Sequence, residues 1–125
     1  MSSVFTQIVK GEIPCYKIYE DEKTMAFLDI APEAPGHTLV IPKVEVDKVY
    51  DLDDENYTAL MKTVKMLATH LDKVLGERTM IKIVGTDVPH THVHLLPINE
   101  NWAGERFMKP TEEEFREMQE RLRVN

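Results

Sequence analysis

A single cysteine, Cys15, stands among 125 residues. It has no partner for an internal disulfide, and one thiolate cannot build a metal cluster. Basic residues are in short supply as well: 15 Lys and Arg against 22 Asp and Glu leave a net charge of −7. A nucleic-acid backbone selects a basic surface, so nucleic acid is not expected as a partner. A small phosphorylated ligand stays compatible, because a local nest of amides and imidazoles can hold one phosphate. No apolar run nears the roughly 20 residues that cross a bilayer, and the N-terminus lacks the basic and apolar regions of a signal peptide. No membrane partner is expected, and a reducing, cytoplasmic setting is. Repeats, linkers and low-complexity tracts are absent too. The chain therefore reads as one domain, residues 1–125, long enough to bury about two-thirds of its unfolded surface.

What the chain does have is histidine in an unusual pattern. Of five histidines, three fall at every second position in Val88-Pro89-His90-Thr91-His92-Val93-His94-Leu95-Leu96-Pro97. A period of two with β-branched and apolar residues between predicts a strand. His90, His92 and His94 then share one face, roughly 6.6 Å apart, while Val93 and Leu95 face a core. Two chemistries fit such a row. His-x-His on a strand can ligate zinc, with a further ligand elsewhere. Alternatively one imidazole attacks a substrate while its neighbours orient it and move protons, with no metal or other cofactor.

The rest of the chain supplies a scaffold. Ser3 is placed to cap a short helical turn with Val4, Phe5 and Ile8 inward, ended by Gly11. Residues 16–20 and 24–29 alternate like a hairpin around Asp21-Glu22-Lys23. Pro32, Pro35 and Gly36 make residues 31–36 a rigid loop, and His37 opens a third strand closed by Pro42. Asp53 or Asp54 starts the longest helix, with apolar residues at three-and-four spacing from Tyr57 to Leu75 and Gly76 as its stop. His70, within it, reads as a solvated side chain. Residues 79–84 form a fourth strand, which Gly85-Thr86-Asp87 turns back into the histidine strand as an antiparallel hairpin. Thr111 with Glu114 is a capping box for a final helix bearing Phe115, Met118 and Leu122 on one face. Five strands on mostly short connections predict an α+β domain: an antiparallel five-stranded sheet, one long helix and a C-terminal helix.

The triad His90-x-His92-x-His94-Leu95-Leu96, the block Ala34-Pro35-Gly36-His37-Thr38-Leu39-Val40-Ile41-Pro42-Lys43 and the opening Phe5-Thr6-Gln7-Ile8-Val9-Lys10-Gly11-Glu12-Ile13-Pro14 carry a resemblance. Together with Tyr19-Glu20-Asp21-Glu22 and Ala26-Phe27-Leu28-Asp29-Ile30, they make the chain closely similar to the histidine-triad family of nucleotide hydrolases and transferases. The resemblance implies a homodimer whose two sheets join into one. It implies a purine nucleotide substrate, a nucleoside phosphoramidate or a dinucleoside polyphosphate, attacked at the α-phosphorus to give a nucleotidyl-histidine. By position His92 is the nucleophile, His90 supports and orients it, His94 contacts the phosphate and His37 completes the histidine set. Asp29 matches the family's acidic residue on the ribose hydroxyls. Phe5, Ile8, Ile13, Ile30 and Leu39 match the apolar positions around the base.

Three departures stand out. Some members bind structural zinc through N-terminal cysteines, and here that stretch reads Ser2-Ser3-Val4-Phe5. Many carry an asparagine in the fourth strand and a glutamine-serine pair before the triad. Here those stretches read Met80-Ile81-Lys82-Ile83-Val84 and Gly85-Thr86-Asp87-Val88-Pro89, with Thr86 or Asp87 as the substitute for the phosphate contact. Trp102 lies near where some members place a tryptophan reaching the partner's site, and simple packing explains it equally well. Two alternatives remain beside the hydrolase: a nucleotide-binding regulatory protein, and a zinc-dependent hydrolase using His90, His92 and His94.

Overall fold

A computed structural model describes residues 2–99 and 109–124. Trp102 and its expected role lie outside the described residues.

Local chemistry sets the element ends. Ser3 Oγ accepts the Thr6 N–H at 3.0 Å and starts α1 (Val4–Val9). Asp21 Oδ1 accepts the N–H groups of Lys23 and Thr24, closing the turn between β1 (Lys17–Glu20) and β2 (Thr24–Leu28). β3 (Thr38–Pro42) follows the proline loop. Asp53 caps α2 (Asp54–Leu75), which stops at Gly76 in the left-handed region, φ 70°. β4 (Arg78–Ile83) and β5 (Val93–Ile98) come next, and the Thr111–Glu114 capping box opens α3 (Glu112–Leu122).

The sheet runs β1-β2-β3-β5-β4 with every neighbouring pair antiparallel. This is the α+β architecture expected from the sequence. One face carries Ile18, Ala26, Leu28, Val40, Val93 and Leu95, which pack on Leu60, Val64, Leu67 and Leu71 of α2 and Leu122 of α3. The other face carries Met25, Phe27, Leu39 and Ile41, packed with Phe5 and Ile8 of α1. Two clusters, one on each side, leave His90 and His92 against Phe5 on the α1 face.

Two expectations change. The histidine strand begins only at Val93, so His90 and His92 stand on the loop that enters it. Pro89 has no N–H to give, the His90 N–H turns back to Val88 O at 2.8 Å, and the Thr91 N–H goes to Val46 O at 2.7 Å. None of those groups is left to extend the ladder. His70 is not simply solvated either. Its Nε2 lies 2.9 Å from Leu122 O and ties α2 to the end of α3.

Candidate active site

Asp29 and His37 flank the proline loop between β2 and β3, joined by the Asp29 N–H to His37 O at 3.0 Å. Gly36 makes that loop possible: its φ is +87°, and a Cβ there would sit 2.7 Å from Leu75 Cδ1. His37 thereby reaches the α1 face beside His94, which pairs with Leu39 across the β3–β5 ladder.

One backbone amide sets the proton positions along this edge of the site. The Glu33 N–H donates to His37 Nδ1 at 3.1 Å. His37 therefore carries its proton on Nε2, which stands 2.9 Å from His94 Nδ1 and 3.5 Å from Asp29 Oδ2. His94 Nδ1 accepts, so its own proton is on Nε2. That Nε2–H is buried with no partner among the described residues. Burial holds both rings neutral, with pKa values lowered from 6.5 to about 4, and His94 is pushed down further by His37 and His92. A buried, unpaired N–H costs about 1–3 kcal/mol until an acceptor arrives. It is a waiting donor for an anion.

His92 adjoins it, the two rings edge-on with centroids 5.2 Å apart. The His92 Nδ1–H donates to His90 O at 2.8 Å, which turns Nε2 toward the cleft. Asp87 stands over that nitrogen, Oδ1 at 3.2 Å and Oδ2 at 3.4 Å. Burial pushes the Asp87 carboxyl up, but the Val88 N–H and the His92 ring outweigh it and hold the carboxyl below its usual value. For Asp29 burial dominates over the Ala31 N–H, and its carboxyl is pushed up.

His90 does not share the row. Its Nε2–H donates to Pro42 O at 2.9 Å, and its Nδ1 accepts from Ser3 Oγ at 2.8 Å. Glu45 Oε1 completes this clasp by accepting from the Ser3 N–H and Thr6 Oγ1. The ring pins α1 to the histidine loop, and orientation of His92 passes through the His90 carbonyl. A zinc site of His90, His92 and His94 is thereby excluded, since both nitrogens of His90 are engaged elsewhere.

Two other groups bring ligand atoms within 4.8 Å of one another: Asp29, His37, His94 and Asp87, His92, His94. The same amide argues against both. A metal at the first needs a bare His37 Nε2, and at the second a bare His94 Nε2. Either would force the His37 proton onto Nδ1, against the Glu33 N–H. With the Glu33 N–H in place, the cleft presents an N–H at His94 Nε2 where a metal would need a lone pair.

A cleft of about 290 Å³ brings together Phe5, Ile8, Ile13, Ile30, Leu39, Asp29, His92 and His94. Thr86 lies in an adjoining hollow, and His37 and His90 sit behind the walls. Val4, Pro14, Cys15, Phe27 and Val88 also line the cleft, beyond the residues expected there. Phe27 was within reach of the pattern, two residues before Asp29 on the same strand face. Cys15 and Val88 come from loops, which carry no such signal.

The chain is similar to several known proteins. A family model described as the HIT domain matches residues 10–101. The adenosine 5′-monophosphoramidase of Schizosaccharomyces pombe is 39% identical over 103 residues, covering 78% of this chain and 74% of that one. The adenosine 5′-monophosphoramidase of Saccharomyces cerevisiae is 40% identical over 103 residues, covering 81% of this chain and 65% of that protein. The crystal structure of a HIT-like protein involved in cell-cycle regulation from Bartonella henselae superposes with a TM-score of 0.90 at 29% identity, covering 97% of this chain and 93% of that one.

Proposed function

Because the chain belongs to the HIT domain family and is a nucleotide hydrolase of it, we propose that it cleaves purine nucleoside 5′-phosphoramidates through a nucleotidyl-His92 intermediate. The observation that carries this reading is the buried His94 Nε2–H, without a partner among the described residues, beside the Nε2 of His92. The base packs between Phe5, Ile8, Ile13 and Leu39, and the Asp29 carboxylate accepts from the ribose hydroxyls. A phosphate oxygen takes the His94 N–H. His92 Nε2 then forms a bond to phosphorus. The P–N bond to the leaving amine breaks, its electron pair stays on that nitrogen, and a proton from solvent completes the free amine. Water attacks phosphorus next, the P–Nε2 bond breaks, and the nucleoside monophosphate leaves with His92 restored. Two displacements replace one difficult step.

A homodimer joined along β4 belongs to the same proposal. β4 is an edge of the sheet, and its Ile81 and Ile83 are 46% and 42% exposed, which a second copy would cover. Cytoplasmic residence is proposed on the free thiol of Cys15.

The test is adenosine 5′-phosphoramidate, assayed with a strong chelator present. Turnover is expected, and acid-free quenching should show one nucleotide's mass on the peptide containing His92. His92→Ala should lose at least a thousandfold in rate, about 4 kcal/mol of barrier, while still binding AMP. A His92→Ala protein keeping a tenth of the rate sinks the covalent route. AMP binding without turnover in the parent points instead to the regulatory protein.

A further inference from the structure

We propose that Asp87 selects the charge of the leaving group, favouring amines that bear a cationic substituent and rejecting polyphosphates. The inference rests on the phosphoramidate reading and adds to it a residue and a substrate subclass.

Three observations converge on it. Asp87 is the carboxylate in contact with the attacking nitrogen, 3.2 Å from His92 Nε2, and its Oδ1 is anchored by the Val88 N–H at 2.9 Å. Its side chain is 49% exposed, so it can turn aside when phosphorus approaches, yet its backbone keeps it at the rim. Second, the buried His94 Nε2–H, without a partner among the described residues, marks where a phosphate oxygen would be held. That flank also carries Lys82, opposite His94 in the β4–β5 register, with its amine 3.6 Å from Glu33. Third, the Asp87 flank opens into a hollow of about 140 Å³ lined by Asp47, Gly85, Thr86, Asp87, Val88 and Pro89. Asp87 and Val88 line both the cleft and the hollow.

A displacement at phosphorus sends the leaving group to the side away from Nε2, out toward this rim. There, among the described residues, it meets two carboxylates and no basic side chain in the hollow's lining. An ammonium a few bonds beyond the scissile nitrogen pairs with Asp87. A polyphosphate brings several negative charges to the same place, within a Debye length and only partly screened. Charge complementarity of this kind decides between substrates whose reacting bonds are alike.

The experiment uses three adenosine 5′-phosphoramidates of alkylamines matched in length, ending in an ammonium, a methyl or a carboxylate. The unsubstituted protein should prefer the ammonium over the carboxylate substrate by about thirtyfold in kcat/KM, and the preference should shrink in about 0.5 M salt. In Asp87→Asn and in Asp87→Ser the ratio should fall below about threefold. A ratio retained in either variant, or a parent ratio below threefold with the methyl substrate cleaved, overturns the role of Asp87 alone. A parent that cleaves none of the three overturns the phosphoramidate reading and this inference with it.

Discussion

Acid should unfold this protein through its buried histidine pair, by an amount the structure sets. His37 and His94 are 1% and 7% exposed and both titrate at about 4 in the fold. In the unfolded chain each returns to roughly 6.5. Between those values the unfolded state binds more protons than the folded one, so stability falls as pH falls. Each ring contributes about 1.8 kcal/mol of loss from pH 7 to pH 5, using about 1.4 kcal/mol per pKa unit. Together they remove about 3–4 kcal/mol from a total of about 5–15. His90, pushed down mainly by burial, acts in the same direction. Asp29 acts against it, because its raised carboxyl takes a proton more readily folded than unfolded. Ordinary carboxylates titrate mostly below this window, so the histidines dominate it. Urea unfolding at pH 7, 6 and 5, at one fixed protein concentration, reads the loss directly. In His37→Gln the loss should drop by about half. A parent that loses less than about 1 kcal/mol over these two pH units, or a variant that loses as much as the parent, refutes the reasoning.

Two further outcomes follow from single contacts. Asp29→Ala removes the acceptor assigned to the ribose, and AMP should bind at least tenfold more weakly by calorimetry while the thermal transition survives; equal affinity of the parent for AMP and its 2′-deoxy analogue would count against the assignment. Ser3→Ala removes both the α1 cap and the bond to His90 Nδ1, at a cost of about 1–2 kcal/mol in stability. Because α1 carries Phe5 and Ile8 to the cleft, KM for a phosphoramidate should rise more than kcat falls, and an unchanged KM would show that the clasp does not hold the base wall.

The elements were legible because their signals are local. Period-two alternation marked the β1–β2 hairpin, Pro42 marked the end of β3, the three-and-four stripe marked α2, and Thr111 with Glu114 marked the start of α3. The histidine loop reads as strand in the sequence because its stops lie elsewhere. Thr91 is satisfied by Val46, 45 residues away, and the His90 ring by Pro42 and Ser3, 48 and 87 residues away. No window along the chain contains those partners. The row of imidazoles was the right signal with the wrong geometry for one member. His92 and His94 meet in the cleft, and His90 turns behind it.

Residue types alone also left zinc and phosphate chemistry side by side, because an imidazole serves either depending on which nitrogen carries the proton. The Glu33 amide separates them. By occupying His37 Nδ1 it sends a proton to His37 Nε2, then frees His94 to present its own Nε2–H to the cleft. A metal needs a lone pair at that point and finds a hydrogen; a phosphate oxygen needs a hydrogen and finds one. On the proposed function, the phosphate contact thus rests on a main-chain group in the proline loop, beside Pro32, Pro35 and the positive φ of Gly36. On the proposed reaction Asp87 completes the asymmetry across His92: the His94 N–H meets the phosphate on one flank, and a half-exposed carboxylate meets the departing group on the other.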